Sequence, residues 1–179
     1  MNRKDFLRAC LAGVSSCAAC GVAPEAGAGV RAGADDRALD AVRLRYATLV
    51  DQIAQHVPEE AQRKIFRELG RECARQFKGM TYEKFANDLA GFLAAASGPD
   101  GWMSSAEHDR EAGILTIVDR SASCSCPLVK PGRTPGLQCE CTLGWQEETY
   151  SRILGRPVRA TLEESILRGG KRCVFRLTV

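Results

Sequence analysis

Residues 124–141 read Cys124-Ser-Cys126-Pro-Leu-Val-Lys-Pro-Gly-Arg-Thr-Pro-Gly-Leu-Gln-Cys139-Glu-Cys141, two Cys-x-Cys pairs facing each other across a loop rich in Pro and Gly. Thiols packed this densely are joined by disulfides, bound to a metal, or reactive. Neighbours in Cys-x-Cys rarely bond to each other because the small ring is strained, so pairing across the loop is the easier disulfide geometry. Structural zinc usually takes Cys-x2-Cys spacing, and Cys-x-Cys suits softer metals or wider sites better. Three readings follow. The loop supports a metal or small-molecule site; it carries a cysteine nucleophile or a metal-activated water for hydrolysis; or it is a disulfide staple with no chemistry. The chain has two histidines, and only His108 lies in its second half. A Cys–His nucleophile pair would have to use it, or His56 from afar, which counts against a cysteine hydrolase. No C-x-x-C-H occurs in the body of the chain, which excludes c-type haem attachment there.

The elements around the loop decide how its thiols are held. Gly113–Val118 is rich in β-branched residues, reads as a strand, and delivers the chain toward Cys124. A helix is expected from Thr142 to Leu154, with Gly155 as its stop. Cys139 and Cys141 would then lie at its N-terminus, where the helix dipole favours thiolate. Arg168-Gly-Gly-Lys171 predicts a two-residue hairpin turn, pairing Ile166 with Cys173, Glu164 with Phe175 and Leu162 with Leu177. In that register Glu164 is a carboxylate on the core face, diagonal to Cys173, and needs a partner. A one-residue bulge would instead turn it outward. The candidate site is therefore Cys124, Cys126, Cys139, Cys141 and Cys173 with Glu164 as a carboxylate ligand, and zinc or another thiophilic metal as the implied cofactor. Cys73 stands behind these as a further candidate.

The first half reads as helices. Leu39, Val42, Tyr46, Leu49, Val50, Ile53 and Val57 form one apolar helical stripe, and Ala61, Ile65, Leu69, Cys73 and Phe77 a second at intervals of four. Both stripes predict burial, which would place Cys73 inside. Thr81 is a candidate cap for a third helix carrying Tyr82, Phe85, Leu89, Phe92 and Leu93 inward. With strands at 101–108 and 113–118, this gives an α+β class, N-terminal helices packed on an antiparallel sheet that ends in a C-terminal β-hairpin.

The 179 residues suit one domain plus a leader. Residues 1–28 resemble an export signal. Arg3-Lys4-Asp5-Phe6-Leu7-Arg8 is twin-arginine-like, a mildly apolar stretch follows, and Ala26-Gly27-Ala28 offers a cleavage pattern. Val14-Ser15-Ser16-Cys17 fits a lipobox, which would make Cys17 a lipid-bearing terminus. Residues 29–35 are then a linker and 36–179 the domain. The expected location is the periplasm or a membrane-anchored lipoprotein, and the cytoplasm if residues 1–28 are not a leader. A net charge of +3, spread along the chain, and 6% aromatic residues exclude a nucleic-acid stacking surface. No apolar run approaches the ~18 residues a membrane span needs. The expected partner is a metal ion or small molecule. A dimer is compatible with the sequence, which does not set the oligomeric state.

Leu162-Glu-Glu-Ser165-Ile-Leu-Arg-Gly169-Gly-Lys-Arg-Cys173-Val-Phe175 resembles the C-terminal hairpin of 4-vinyl reductase-type domains, small α+β modules that bind small molecules. The resemblance implies a zinc held by cysteines and a glutamate beside a binding cavity. Cys173 matches one ligand, and Ser165 stands where that family has the other cysteine. Cys126-Pro-Leu-Val129, Cys139-x-Cys141-x-x-Gly-Trp145 and Gly70-Arg-Glu-Cys73 are similar to a cysteine-rich bacterial family related to L-2-amino-thiazoline-4-carboxylic acid hydrolase-like proteins.

Overall fold

A computed structural model describes residues 30–76 and 82–179, with the side chains of 30–35 and 83 left aside. Cys10, Cys17, Cys20, the leader and the candidate cap Thr81 lie outside the described residues. Residues 35–179 form one compact unit. The elements run α1 (Val30–His56), α2 (Glu59–Gln76), a 3-10 turn (Tyr82–Phe85), α3 (Leu89–Ser97), β1 (Met103–Asp109), β2 (Ile114–Asp119), α4 (Gln138–Leu154), β3 (Arg159–Glu164), a second 3-10 turn (Ile166–Arg168) and β4 (Val174–Thr178). The four strands make one antiparallel sheet in the order β1-β2-β4-β3, with β3 and β4 as the C-terminal hairpin. This is the expected α+β class.

The core lies between α4 and the sheet. Tyr150, Ile153 and Leu143 meet Leu115, Ile117, Phe175 and Leu177, with Phe92 of α3 and Met103 closing one side. Tyr82, Phe92, Phe85, Tyr150, Trp145 and Trp102 form one chain of ring contacts, edge to face except for the tilted Tyr82–Phe92 pair. The expected third helix is interrupted. Asn87 takes φ of 61°, and Asp88 restarts the chain as α3 by accepting the Gly91 N–H at 2.8 Å. Arg120 closes the far end of α3, donating to the carbonyls of Ser97, Gly98 and Pro99.

α2 lies against α4 through two glycines. A Cβ on Gly70 would fall 1.8 Å from the Cys141 carbonyl oxygen, and one on Gly144 would fall 2.0 Å from that of Arg67. Only residues without a side chain permit backbones this close. Four ion pairs flank the crossing. Arg67 reaches Glu140 at 3.0 Å and Glu147 at 2.5 Å, Arg71 reaches Glu147 at 2.7 Å, and Arg168 reaches Glu140 at 3.1 Å. Glu140 and Glu147 are buried, and Glu147 also accepts the Ala160 N–H.

Two expectations fail for the same reason. The buried face of α2 is Phe66, Gly70 and Ala74, one residue round from the expected stripe. Ile65 and Leu69 remain 47% and 45% exposed, and Cys73 is exposed. The close crossing needs glycine and alanine at its centre, so shape decides the packed face where hydrophobicity alone points to its neighbour. On α1, Ala47 and Val50 are buried, while Leu39, Val42 and Leu49 stay exposed. α1 also begins at Val30, so the expected linker 29–35 is helical from its second residue.

Candidate functional site

The thiol loop is held from three sides. β2 ends at Asp119, whose carboxylate accepts the Ser121 N–H and the Ser125 hydroxyl, at 2.8 and 3.1 Å. α1 clasps the outer limb, with Arg43 donating to the Pro127 carbonyl at 2.8 Å and Lys130 pairing with Asp40 at 2.7 Å. Within the loop, Lys130 donates its N–H to the buried Thr134 hydroxyl at 2.9 Å. α4 then starts at Gln138, four residues before the expected start, so Cys139 and Cys141 belong to its first turn.

Gln138 sits at the centre of this arrangement and is 1% exposed. Its amide oxygen accepts a short hydrogen bond from Tyr46 of α1. Its amide nitrogen lies 3.8 Å from Cys126 Sγ, and its side chain also hydrogen-bonds Cys141. On the sheet side, Cys139 Sγ lies 3.0 Å from the buried Ser165 hydroxyl, which caps the turn after β3 by accepting the Leu167 N–H. Cys173 precedes β4, and its carbonyl accepts the Asp119 N–H at 3.0 Å.

All six described cysteines are free thiols. They lie within electrostatic reach of one another in a band. Cys141 senses Cys126, Cys73 and Cys124; Cys124 senses Cys126, Cys173 and Cys139; Cys139 senses Cys173. The structure thus brings Cys73 of α2 and Cys173, just before β4, to the loop, although Cys73 reaches it from an exposed face.

The protonation states differ from the sequence expectation. Burial pushes the Cys141 thiol up to about 12 and the Cys124 thiol up to about 11, and raises Cys139 as well. Neighbouring thiols, which would repel a second thiolate, add to the rise for each. The helix N-terminus does not overcome this desolvation. At neutral pH these three are soft, protonated donors, and the expected thiolate character is corrected.

Glu164 is not part of the band. The hairpin pairs Leu162 with Phe175 and Ala160 with Leu177, a shift of two residues from the expected register, and a bulge between Leu162 and Glu164 sets Glu164 beside Val174. The turn is also longer than two residues. Ser165 caps a 3-10 turn, Gly169 takes φ of 89°, and Gly170 donates to the Ser165 carbonyl at 2.8 Å. Glu164 accepts the Lys171 N–H at 2.8 Å and pairs with Arg172 at 3.1 Å, and these contacts hold its carboxyl below the usual range. Its carboxylate is therefore engaged by the turn.

Among the described residues, no group of three or more His, Cys, Asp or Glu side chains is disposed to hold a metal ion. Cys139 is engaged by Ser165, and Glu164 is engaged by the turn. The expected zinc or thiophilic-metal site is thus not assembled among the described residues. His108 pairs with Leu115, at the end of the β1–β2 ladder opposite Asp119, so no Cys–His pair is assembled at the loop. Sequence reasoning missed Gln138, Tyr46 and Ser165. Gln138 adjoins Cys139 and Ser165 occupies a family cysteine position, but nothing in residue type marks Tyr46 as a loop contact.

A four-stranded antiparallel sheet with a thiol-bearing helix packed across one face defines the class to which the chain belongs: a small α+β domain with Cys139 and Cys141 at the start of that helix. A scan against protein-family models and a search of curated proteins find no match. Among solved structures, the chain is similar to a trafficking protein particle complex subunit 3 from Naegleria fowleri covalently bound to palmitic acid, with a TM-score of 0.51 and 14% identity over 80% of this chain and 95% of that one. This likeness shows the fold. It overturns the resemblance to 4-vinyl reductase-type and thiazoline-carboxylate hydrolase-like proteins. The similar structure is a trafficking-complex subunit, so the expected periplasmic or lipoprotein location finds no support in this likeness. No described helix is long and apolar enough to cross a membrane.

Proposed function

We propose that this domain holds a small molecule by a covalent bond to the thiol band, as a carrier rather than a catalyst, and that the ligand is an acyl group in thioester linkage. The observation that supports this most directly is the gathering of free thiols whose burial keeps them protonated at neutral pH. A thiol that ionises only near 11 or 12 is a slow nucleophile and, once acylated, a poor leaving group. Both properties suit long retention, and neither suits turnover. The similar trafficking-complex subunit, which carries palmitic acid covalently, lends the reading a chemical precedent on this fold.

Cys124 and Cys141 are the residues of choice. Each is half-buried, hence reachable yet shielded, whereas Cys139 is buried against Ser165. In the loading step the thiol sulfur attacks the carbonyl carbon of an acyl thioester donor. The new C–S bond forms as the donor's C–S bond breaks, and the cysteine proton leaves with the departing thiol. Incubating the full chain with a long-chain acyl-coenzyme A, followed by peptide mapping, tests this. Acyl mass on a peptide holding Cys124 or Cys141, absent after substitution of that cysteine by Ala, is the expected result. Acylation spread evenly over all cysteines, Cys73 included, would show solution chemistry and not a site.

A further inference from the structure

Between residues 40 and 50, α1 meets the thiol loop through one face, on which Asp40, Arg43, Tyr46, Ala47 and Val50 recur at helical spacing. Asp40 pairs with Lys130 at 2.7 Å, Arg43 donates to the Pro127 carbonyl at 2.8 Å, and the Tyr46 hydroxyl donates to Gln138. Ala47 and Val50 are buried beside them, while the larger Leu39, Val42, Leu44 and Leu49 stay exposed. The fastenings are therefore two modest apolar side chains, two hydrogen bonds and one part-exposed ion pair, each of limited strength. The C-terminal end of α1 is pinned instead. Pro58 interrupts the helical ladder after His56, and the Gln62 amide donates to the carbonyls of Ala54 and Val57 at 3.0 and 2.6 Å. The core between α4 and the sheet is built from Tyr82 onward, so α1 can lift without dismantling it.

What this face covers is one end of the thiol band. Gln138, which takes the Tyr46 hydrogen bond, also has its amide nitrogen 3.8 Å from Cys126 Sγ and hydrogen-bonds Cys141. Burial and the neighbouring Cys141, Cys126 and Cys73 thiols hold the Tyr46 phenol above its usual range. Cys124 instead senses Cys173 and Cys139 besides Cys126, toward the sheet. We infer that α1 is a lid that turns about the Val57–Pro58 junction and gates Cys126 and Cys141, with the Tyr46–Gln138 hydrogen bond as its latch. Opening takes Tyr46 off Gln138 and parts Arg43 from Pro127 and Asp40 from Lys130. As a gate for acyl loading at Cys141, the lid rests on the carrier reading; as a barrier to a neutral alkylating reagent, it stands without it.

Pulse labelling of the full, reduced chain with N-ethylmaleimide, with each cysteine resolved by peptide fragmentation, tests the lid. Tyr46→Phe keeps the ring and removes the latch. Cys126 and Cys141 should then label roughly fivefold faster, the shift that one hydrogen bond gives to an open–closed equilibrium. Asp40→Asn, Arg43→Gln and Tyr46→Phe combined should exceed about tenfold, as the remaining fastenings are lost too. In the wild type, high salt screens the Asp40–Lys130 pair and should speed the same two thiols, an effect that Asp40→Asn should abolish. Cys124 and Cys139 should label at the wild-type rate throughout. Thr48→Ala is the control: its hydroxyl bonds the Leu44 carbonyl of its own helix at 3.0 Å, and this variant should change no rate. Unchanged labelling of Cys126 and Cys141 in the triple variant overturns the inference, as does a rise shared equally by Cys124 and Cys139, which would be loosening of the whole fold. Incubation with long-chain acyl-coenzyme A separates the two readings. A lid without a carrier gives faster alkylation and no acyl mass on any variant, whereas a carrier without a lid gains acyl mass at a rate that Tyr46→Phe leaves unchanged.

Discussion

Substituting Gly70 by alanine perturbs the crossing of α2 and α4 and, through it, the thiol band. The added methyl would lie 1.8 Å from the Cys141 carbonyl oxygen and 2.8 Å from the Trp145 nitrogen. Ordinary contact begins near 3.4 Å, so α2 and α4 must part by about 1.6 Å at this point. Both obstacles are backbone, so no side chain can turn aside. Overpacking of this kind costs ~1–3 kcal/mol, and the rigid surroundings place Gly70→Ala at the upper end. The better helix propensity of alanine returns at most ~1 kcal/mol. A net loss of about 2 kcal/mol lowers the melting temperature by roughly 4–8 °C in a domain of this size. The obstructing carbonyl belongs to Cys141, so the same substitution should expose its thiol and speed its alkylation. Thermal melting by circular dichroism reads the first effect and maleimide labelling with peptide mapping the second. Gly132→Ala is the comparison: it strains a backbone at φ of 72° but meets nothing within 4 Å, so it should cost stability without altering labelling of Cys141. The reasoning is refuted if Gly70→Ala melts at or above the wild-type temperature with Cys141 labelling unchanged.

Further outcomes follow from the same geometry. Glu147→Ala removes the partner of Arg67 and Arg71 and the acceptor of the Ala160 N–H, and should cost about 2–3 kcal/mol in urea unfolding, less than a fully buried pair because both arginines reach solvent. A smaller loss for Glu147→Gln, which keeps the acceptor, is expected alongside. Thiols raised by folding bind protons more tightly in the native state than in the unfolded chain, so their contribution is complete below about pH 9 and is lost as pH climbs toward the folded values near 11 and 12. Stability measured under reducing conditions should therefore fall above pH 9, and the fall should be shallower in a Cys124→Ala, Cys141→Ala double variant. A slope identical in the two proteins would contradict the burial of these thiols. Ser165→Ala strips Cys139 of its hydroxyl neighbour and the Leu167 N–H of its cap, with an expected loss of about 1 kcal/mol at the melting midpoint.

The sequence exposed what depends on local periodicity. The strand into the thiol loop, the helix after Cys141, the terminal hairpin and the α+β class are all readable from alternation and turn residues. What it concealed depends on partners distant in the chain. Ile65 and Leu69 outrank Gly70 and Ala74 in hydrophobicity, yet α2 buries the small pair because Gly144 lies 74 residues later and permits contact of the two backbones. Glu164 looks stranded on a core face until the bulge and the Ser165-capped turn hand its carboxylate to Lys171 and Arg172. The thiol spacing located the band, and it says nothing of desolvation, which reverses the ionisation expected at a helix start.

The central claim is that the band holds an acyl group as a thioester. Intact mass spectrometry of the full chain, purified at neutral pH and measured before and after neutral hydroxylamine, tests it most directly. The account predicts a population heavier than the polypeptide by one acyl group, discharged by hydroxylamine to the bare mass with one additional titratable thiol. A chain at its bare mass that stays so after exposure to long-chain acyl-coenzyme A, with every thiol titratable once unfolded, would contradict it.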